Sequence, residues 1–118
     1  MPLYDNTQLG LERAISGASM RQQVLANNLA NAETPGFQRQ DVDFHTTLAQ
    51  AMQSGDSNSI EAAQFTPQTD NQTMRADCNG VDIDSESGAI AKNALEYQSL
   101  VAVAKARLEI LQSAMGSR

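Results

Sequence analysis

The chain has 118 residues, 41% of them hydrophobic but only 4% aromatic, and a formal net charge of -6. That is one ordinary domain at most, and because alanine supplies so much of the apolar content the core it can build alone is thin. The acidity sits in the middle, with one basic against six acidic groups over residues 45–84, three against five over 1–44 and four against three over 85–118. This distribution argues against nucleic acid and anionic membrane surfaces as partners, since both are bound through clustered Lys and Arg.

Cys78 is the single cysteine and His45 the single histidine, so no intramolecular disulfide and no zinc-like spacing exist, and neither residue anchors a metal site. The start Met1-Pro2-Leu3-Tyr4-Asp5 lacks the basic and apolar regions of a cleaved signal peptide, and no run approaches the ~20 apolar residues of a membrane span. The expectation is a chain that stays in the cytoplasm or leaves by a route using no such signal.

Residues 1–5 read as an extended lead-in with Asp5, Asn6 or Thr7 as N-cap. From there Leu11, Ile15, Ala18, Leu25, Leu29 and Ala32 recur in steps of four and three, interrupted only by Gln22, which is a heptad seam on a long helix. Gly10 and Gly17 each lower helicity by roughly 1 kcal/mol relative to alanine, so this helix depends on a partner surface, and Ala14, Gly17 and Ala18 leave room for close approach of another helix.

The helix ends in Ala26-Asn27-Asn28-Leu29-Ala30-Asn31-Ala32-Glu33-Thr34-Pro35-Gly36-Phe37. Asn31 is a weak helix former, Thr34 is pushed toward extended backbone by Pro35, and Gly36 permits positive φ. Three asparagines cost helix propensity and their amides need partners. C-terminal capping followed by a Pro35-Gly36 turn accounts for any one of them but not for the whole string.

Residues 38–44 begin an extended piece in which Phe37, Val42 and Phe44 share a side, and Leu48, Ala49, Ala51 and Met52 fit a helical turn or two. Residues 54–80 are rich in Ser, Gly, Asn, Gln, Thr and Asp and carry only isolated apolar residues, too long a gap for a passive loop in a compact domain. Short strands at 64–66 and 74–76 joined by Asp70-Asn71 would form a hairpin. The stretch Asp77–Glu86 fails as a calcium loop, because the register that places Gly80 correctly puts Arg75 at the first ligand and Asp82 at an apolar position. It reads instead as an Asn79-Gly80 turn, an extended piece with Val81 and Ile83 on one side, and a helix capped by Asp84 or Ser85 with Glu86 near its positive dipole end.

From Ser85 to about Met115 the residues Ile90, Ala94, Tyr97, Val101, Ala104, Leu108, Leu111 and Met115 form an unbroken seam, with Leu100, Val103 and Ile110 as a second apolar strip. Two strips on one helix require more than one neighbour. The first helix covers one, and leaving the other in water forfeits several kcal/mol at about 2 kcal/mol per large side chain.

The motif Ala26–Phe37 resembles the signature of the bacterial flagellar rod and hook proteins. The continuation Gln38–Phe44, the lead Asn79–Asp84 into the last helix and Ala91–Gln98 within it are similar to the proximal rod members of that axial family; the likeness covers roughly residues 8–44 and 77–115. The resemblance implies a mainly α fold in which the two terminal helices form an antiparallel, coiled-coil-like hairpin around a long irregular middle with at most a short β-hairpin. The divisions are 1–35 (helix and motif), 36–83 (middle) and 84–118 (C-terminal helix), together one axial domain. It further implies a structural subunit of the basal-body proximal rod, without catalysis or cofactor. Such a subunit is exported by the flagellar type III apparatus without a cleaved signal, assembles helically with copies of itself, other rod proteins and membrane-ring components, and transmits torque to the distal rod and hook.

On that reading Leu11, Ile15, Ala18, Leu25 and Leu29 pack against Ile90, Tyr97, Val101, Ala104, Leu108 and Leu111, Leu100, Val103 and Ile110 add assembly surface, and Asn27, Asn28, Asn31, Thr34, Pro35, Gly36 and Phe37 shape the turn. The alternative from another class is a cytoplasmic helical adaptor or export chaperone holding a client helix, which would be stably folded alone. An enzyme is the weakest reading: no nucleophile lies near His45, the acidic residues fall in turns and caps, and there is no glycine-rich phosphate loop.

Overall fold

The computed structural model describes residues 5–69 and 81–116. Helix α1, Asn6–Ala30, starts where the Asp5 carboxylate accepts the Gln8 N–H at 2.9 Å, satisfying one of the amides that a helix start leaves without a partner. It stops at Asn31, whose backbone N–H is shared between the Asn27 and Asn28 carbonyls and whose side-chain amide donates to Asn27 O at 2.9 Å. The Thr34 hydroxyl donates to Asn31 Oδ1 at 3.2 Å, and Gly36 takes φ +75°, the left-handed conformation that an L side chain resists. Helix propensity, a local amide bond and a positive φ thus end the helix together.

The chain returns as β1, Gln40–Asp41, and enters α2, Phe44–Gln53, with Asp43 accepting the Thr46 N–H at 3.2 Å as its cap. A short α3, Ser57–Ala62, is capped by Asp56. Strand β2, Gln68–Thr69, pairs antiparallel with β1, Gln40 opposite Thr69 and Asp41 opposite Gln68. Helix α4 then runs Ile83–Gly116, 34 residues or about 51 Å.

The fold is mainly α, with the two terminal helices packed along each other, but the middle differs from expectation. Residues 44–53 make a full helix because Phe44 in its first turn is buried against α1. The strand expected at 64–66 lies instead at 68–69, and its partner is β1, immediately after the motif turn; Phe65 is drawn into the core. The expected partner strand at 74–76 and the Asn79-Gly80 turn lie outside the described residues. Asp82, not Asp84 or Ser85, starts α4, its carboxylate accepting the Asp84 and Ser85 N–H groups at 3.1 and 3.4 Å. Val81 and Ile83 do not share a side: Val81 is fully buried and Ile83 exposed.

Packing explains the glycines of α1. A Cβ on Gly17 would sit 2.5 Å from Cγ of Phe44, and one on Gly10 would sit 2.8 Å from Sδ of Met52, so α2 rests almost on the α1 backbone. The neighbour for which Ala14, Gly17 and Ala18 leave space includes a helix of this same chain. Ala14, Ala18, Val42, Phe44 and Phe65 form the core cluster, with Leu48 and Leu100 packed on it. The molecule measures 65 × 26 × 15 Å, a slat whose thin dimension leaves little interior.

Candidate functional site

The motif turn is tied to the rest of the chain by one asparagine. Asn28 is completely buried; its Nδ2 donates to Gln40 O at 2.7 Å and to Glu86 Oε2 at 3.3 Å, while its Oδ1 accepts the Gln40 N–H at 3.0 Å. One amide therefore replaces a strand partner for Gln40 and reaches the first turn of α4. Glu86, itself buried, also receives a hydrogen bond from Arg39 Nε. Arg39 lies 3.6 Å from Asp41, and Asp41 accepts from Arg21 Nε and an Arg21 terminal nitrogen at 2.8 and 3.2 Å. Two cations and two carboxylates, from α1, the residue before β1, β1 itself and α4, meet in one balanced cluster, the condition under which buried charge is tolerated.

Burial pushes the Asp41 carboxyl up, but the bonds from Arg21 and the Val42 N–H and the charges of Arg21 and Arg39 outweigh it, leaving its pKa below the ordinary 3.8. Arg21 is raised correspondingly by its bond to Asp41.

Two more polar rungs cross the α1/α4 seam. Asn93, fully buried, donates to Ala18 O and Gln22 Oε1, both at 2.8 Å. Arg107 holds both oxygens of Asp5 at 2.9 and 2.8 Å and reaches Gln8 Oε1 at 3.3 Å. The Gln8 N–H bond, followed by Arg107, lowers the Asp5 pKa. Glu86, Asn93 and Arg107 ascend α4 while Asn28, Gln22 and Gln8 descend α1, so the helices are antiparallel. Asn28, Asp5, Glu86 and Gln22 stood out in the sequence as a motif amide, a cap, a first-turn acid and a break in the seam, whereas Gln8, Asn93 and Arg107 did not. The available signal was the seven-residue spacing of Glu86, Asn93 and, two heptads on, Arg107.

Ala18 and Leu25 are fully buried and Ala104 nearly so, and Leu11, Ile15, Leu29, Ile90, Leu100, Leu108 and Leu111 are half-buried. Tyr97 and Val101, expected on the seam, lie at its exposed edge. Leu100 faces the core, apart from Val103 and Ile110. The large apolar side chains that α4 leaves in water are Ile83, Leu95 (65% exposed), Val103 (51%), Ile110 (67%) and Met115, with Tyr97 and Val101 less exposed. In the motif, Asn31 and Phe37 are half-buried, while Asn27, Thr34, Pro35 and Gly36 are exposed.

An open cleft of about 650 Å³ lies between α1, β1, α2 and α4, lined by Arg21, Asp41, His45, Lys92 and Glu96 among others. His45 Nε2 meets Glu96 Oε1 there, and its ring stacks on Phe44. Among the described residues no group of three or more His, Cys, Asp or Glu could hold a metal ion, and no helix is long and apolar enough to cross a membrane.

Residues 11–38, which run from α1 through the motif turn, match the family described as Flagella basal body rod protein. The chain is 38% identical over 124 residues to the flagellar basal body rod protein FlgB of Escherichia coli (strain K12), covering 86% of this chain and 90% of that protein. It is 32% identical over 116 residues to FlgB of Bacillus subtilis (strain 168), covering 86% of each. To FlgB of Proteus mirabilis (strain HI4320) it is 29% identical over 129 residues, covering 94% of each.

Proposed function

The chain belongs to the FlgB family of flagellar basal body rod proteins, and from that premise we propose how its geometry serves a rod. It is a structural component of the flagellar basal body, working among other rod components. In the finer reading it is a subunit of the proximal rod that stacks helically with its own copies and with other rod proteins, meets the export apparatus and membrane-ring components, and carries torque from ring to distal rod and hook. The adaptor or export-chaperone alternative is not favoured, because the relatives are rod components.

One observation carries the reading: α4 uses one face against α1 and the core and presents a second apolar face, Leu95, Val103 and Ile110, to solvent. Covering such side chains contributes up to about 2 kcal/mol each. Contacts between unlike surfaces that do not close on themselves build a tube or filament rather than a dimer, the geometry a rod needs. Leu11, Ile15, Ala18, Leu25 and Leu29 with Ile90, Tyr97, Leu100, Val101, Ala104, Leu108 and Leu111 would hold the hairpin and its edges, Val103 and Ile110 would meet neighbours, and the motif residues Asn27, Asn28, Asn31, Thr34, Pro35, Gly36 and Phe37 would shape the turn. Residues 1–35, 36–83 and 84–118 then act as one axial domain.

The test is Val103→Asp in the full chain. Export continues, but the chain is missing from isolated basal bodies and swarming is lost. Wild-type motility with normal incorporation would remove the outer face of α4 from the assembly surface.

A further inference from the structure

The α1/α4 seam raises a problem of register. Its apolar positions repeat every seven residues on both helices, Leu11, Ala18, Leu25 and Ala32 on one and Ile90, Tyr97, Ala104 and Leu111 on the other. Sliding α4 by one heptad, about 10 Å, would again set apolar residues against apolar residues. Hydrophobic burial discriminates poorly between such states, because it is non-directional.

The adjacent heptad positions are not uniform. On α4 they read Glu86, Asn93, Leu100, Arg107, and on α1 Leu29, Gln22, Ile15, Gln8. In the observed register Arg107 reaches Gln8 and Asp5, Asn93 reaches Gln22 and the Ala18 carbonyl, and Leu100 packs on the cluster of Ala14, Ala18, Val42, Phe44 and Phe65. A slip in one direction carries Arg107 onto that apolar cluster, sets Leu100 against Gln22 and takes Glu86 away from Arg39. A slip in the other direction carries Asn93 onto the cluster, sets the Glu86 carboxylate against the Ala18 carbonyl and removes Arg107 from Asp5. Either way a polar or charged group is buried without its partner, the arrangement that costs most in a protein interior.

We propose that Glu86, Asn93 and Arg107 are the residues that select the antiparallel register of the terminal helices, acting as polar rungs that exclude the one-heptad slips which the apolar seam would accept. A single buried polar residue sets register in coiled coils in the same way. For a helix whose far end, from Glu109 to Gly116, runs beyond the Arg107 rung, a slip would displace every contact made by that end.

The test uses disulfide trapping of the full chain in cells, in a Cys78→Ser background. One turn in from the Arg107–Gln8 rung, Leu11 comes level with Ala104, so Leu11→Cys with Ala104→Cys reports the observed register. Leu11→Cys with Tyr97→Cys or with Leu111→Cys reports the two slips. Oxidation followed by non-reducing electrophoresis reads the intramolecular bridge as a faster monomer band. With the rungs intact, only the 11–104 pair bridges. In Glu86→Leu/Asn93→Leu/Arg107→Leu, which removes all three rungs and makes the seam more apolar, a slipped pair bridges in yield comparable to the 11–104 pair. Exclusive 11–104 bridging in that triple variant would overturn the proposal. So would loss of all bridges, since the polar groups would then hold the helices together rather than choose their alignment.

Discussion

Asn28→Asp changes one atom of the motif and removes its ability to serve strand β1 and helix α4 at once. The aspartate keeps an acceptor for the Gln40 N–H but loses the donor to Gln40 O, now a 2.7 Å contact, and places a carboxylate about where the amide met Glu86 Oε2 at 3.3 Å. The lost bond costs about 1 kcal/mol. A completely buried charge lacking a dedicated cation, with Glu86 and the Gln40 carbonyl facing it and Arg39 already engaged by Glu86, costs roughly a further 3 kcal/mol, the low end for a broken buried pair. A total near 4 kcal/mol is about a thousandfold in the docking of α4 onto the motif turn, a large share of the ~5–15 kcal/mol typical of a domain. Asn27→Asp, one residue earlier and exposed, should fall within about 0.5 kcal/mol of wild type. Chain content of isolated basal bodies and swarming in soft agar separate the two, with Asn28→Asp lost and Asn27→Asp retained. Burial and Glu86 raise the folded pKa of the new aspartate above its unfolded value, so the deficit is complete above that raised pKa and shrinks as pH falls through it. Helicity followed by circular dichroism against pH reads this recovery. An Asn28→Asp strain with normal rod content and swarming would refute the assigned role of the amide.

Gly17→Ala sets a Cβ 2.5 Å from the buried Phe44 ring; overpacking of about 1–3 kcal/mol outweighs the roughly 1 kcal/mol gained in helix propensity. Adding Phe44→Leu should give a favourable coupling in a double-mutant cycle of thermal melts, and additivity would count against the close approach. Gly36 has open space around it but φ +75°, so Gly36→Val should lower stability by about 1–2 kcal/mol while Gly36→Asn is nearly neutral, measured by urea unfolding. Because the folded pKa of Asp41 lies below 3.8, its ion pairs stabilise the fold fully above that value and are lost as pH falls through the lowered pKa. Asp41→Asn should therefore flatten the acid limb of an unfolding curve below about pH 4, and an unchanged limb would mean that Arg21 and Arg39 do not favour its charged form.

The two long helices and the stop between them were legible from the chain alone, because each rests on local chemistry. The four-three spacing of Leu11, Ile15, Ala18 and Leu25, the seam from Ile90 to Leu111 and the breakers Asn31, Pro35 and Gly36 all act within a few residues. The surplus apolar surface of α4 was also countable before any fold was known. The middle was harder to read, since α2 exists by virtue of Phe44 lying on Gly17 and β2 by virtue of pairing with β1, and such contacts override weak local preference.

What the tertiary structure alone decided was the meaning of the polar residues. Glu86 reads in sequence as an acid at a helix start, yet its partners are Arg39 and Asn28; Gln22 reads as a defect in a seam, yet it faces Asn93. Apolar side chains announce their face by spacing, because water repels them wherever the chain goes. A buried amide or carboxylate is stable only when a particular partner arrives from 47 to 71 residues away, and no local pattern specifies that meeting.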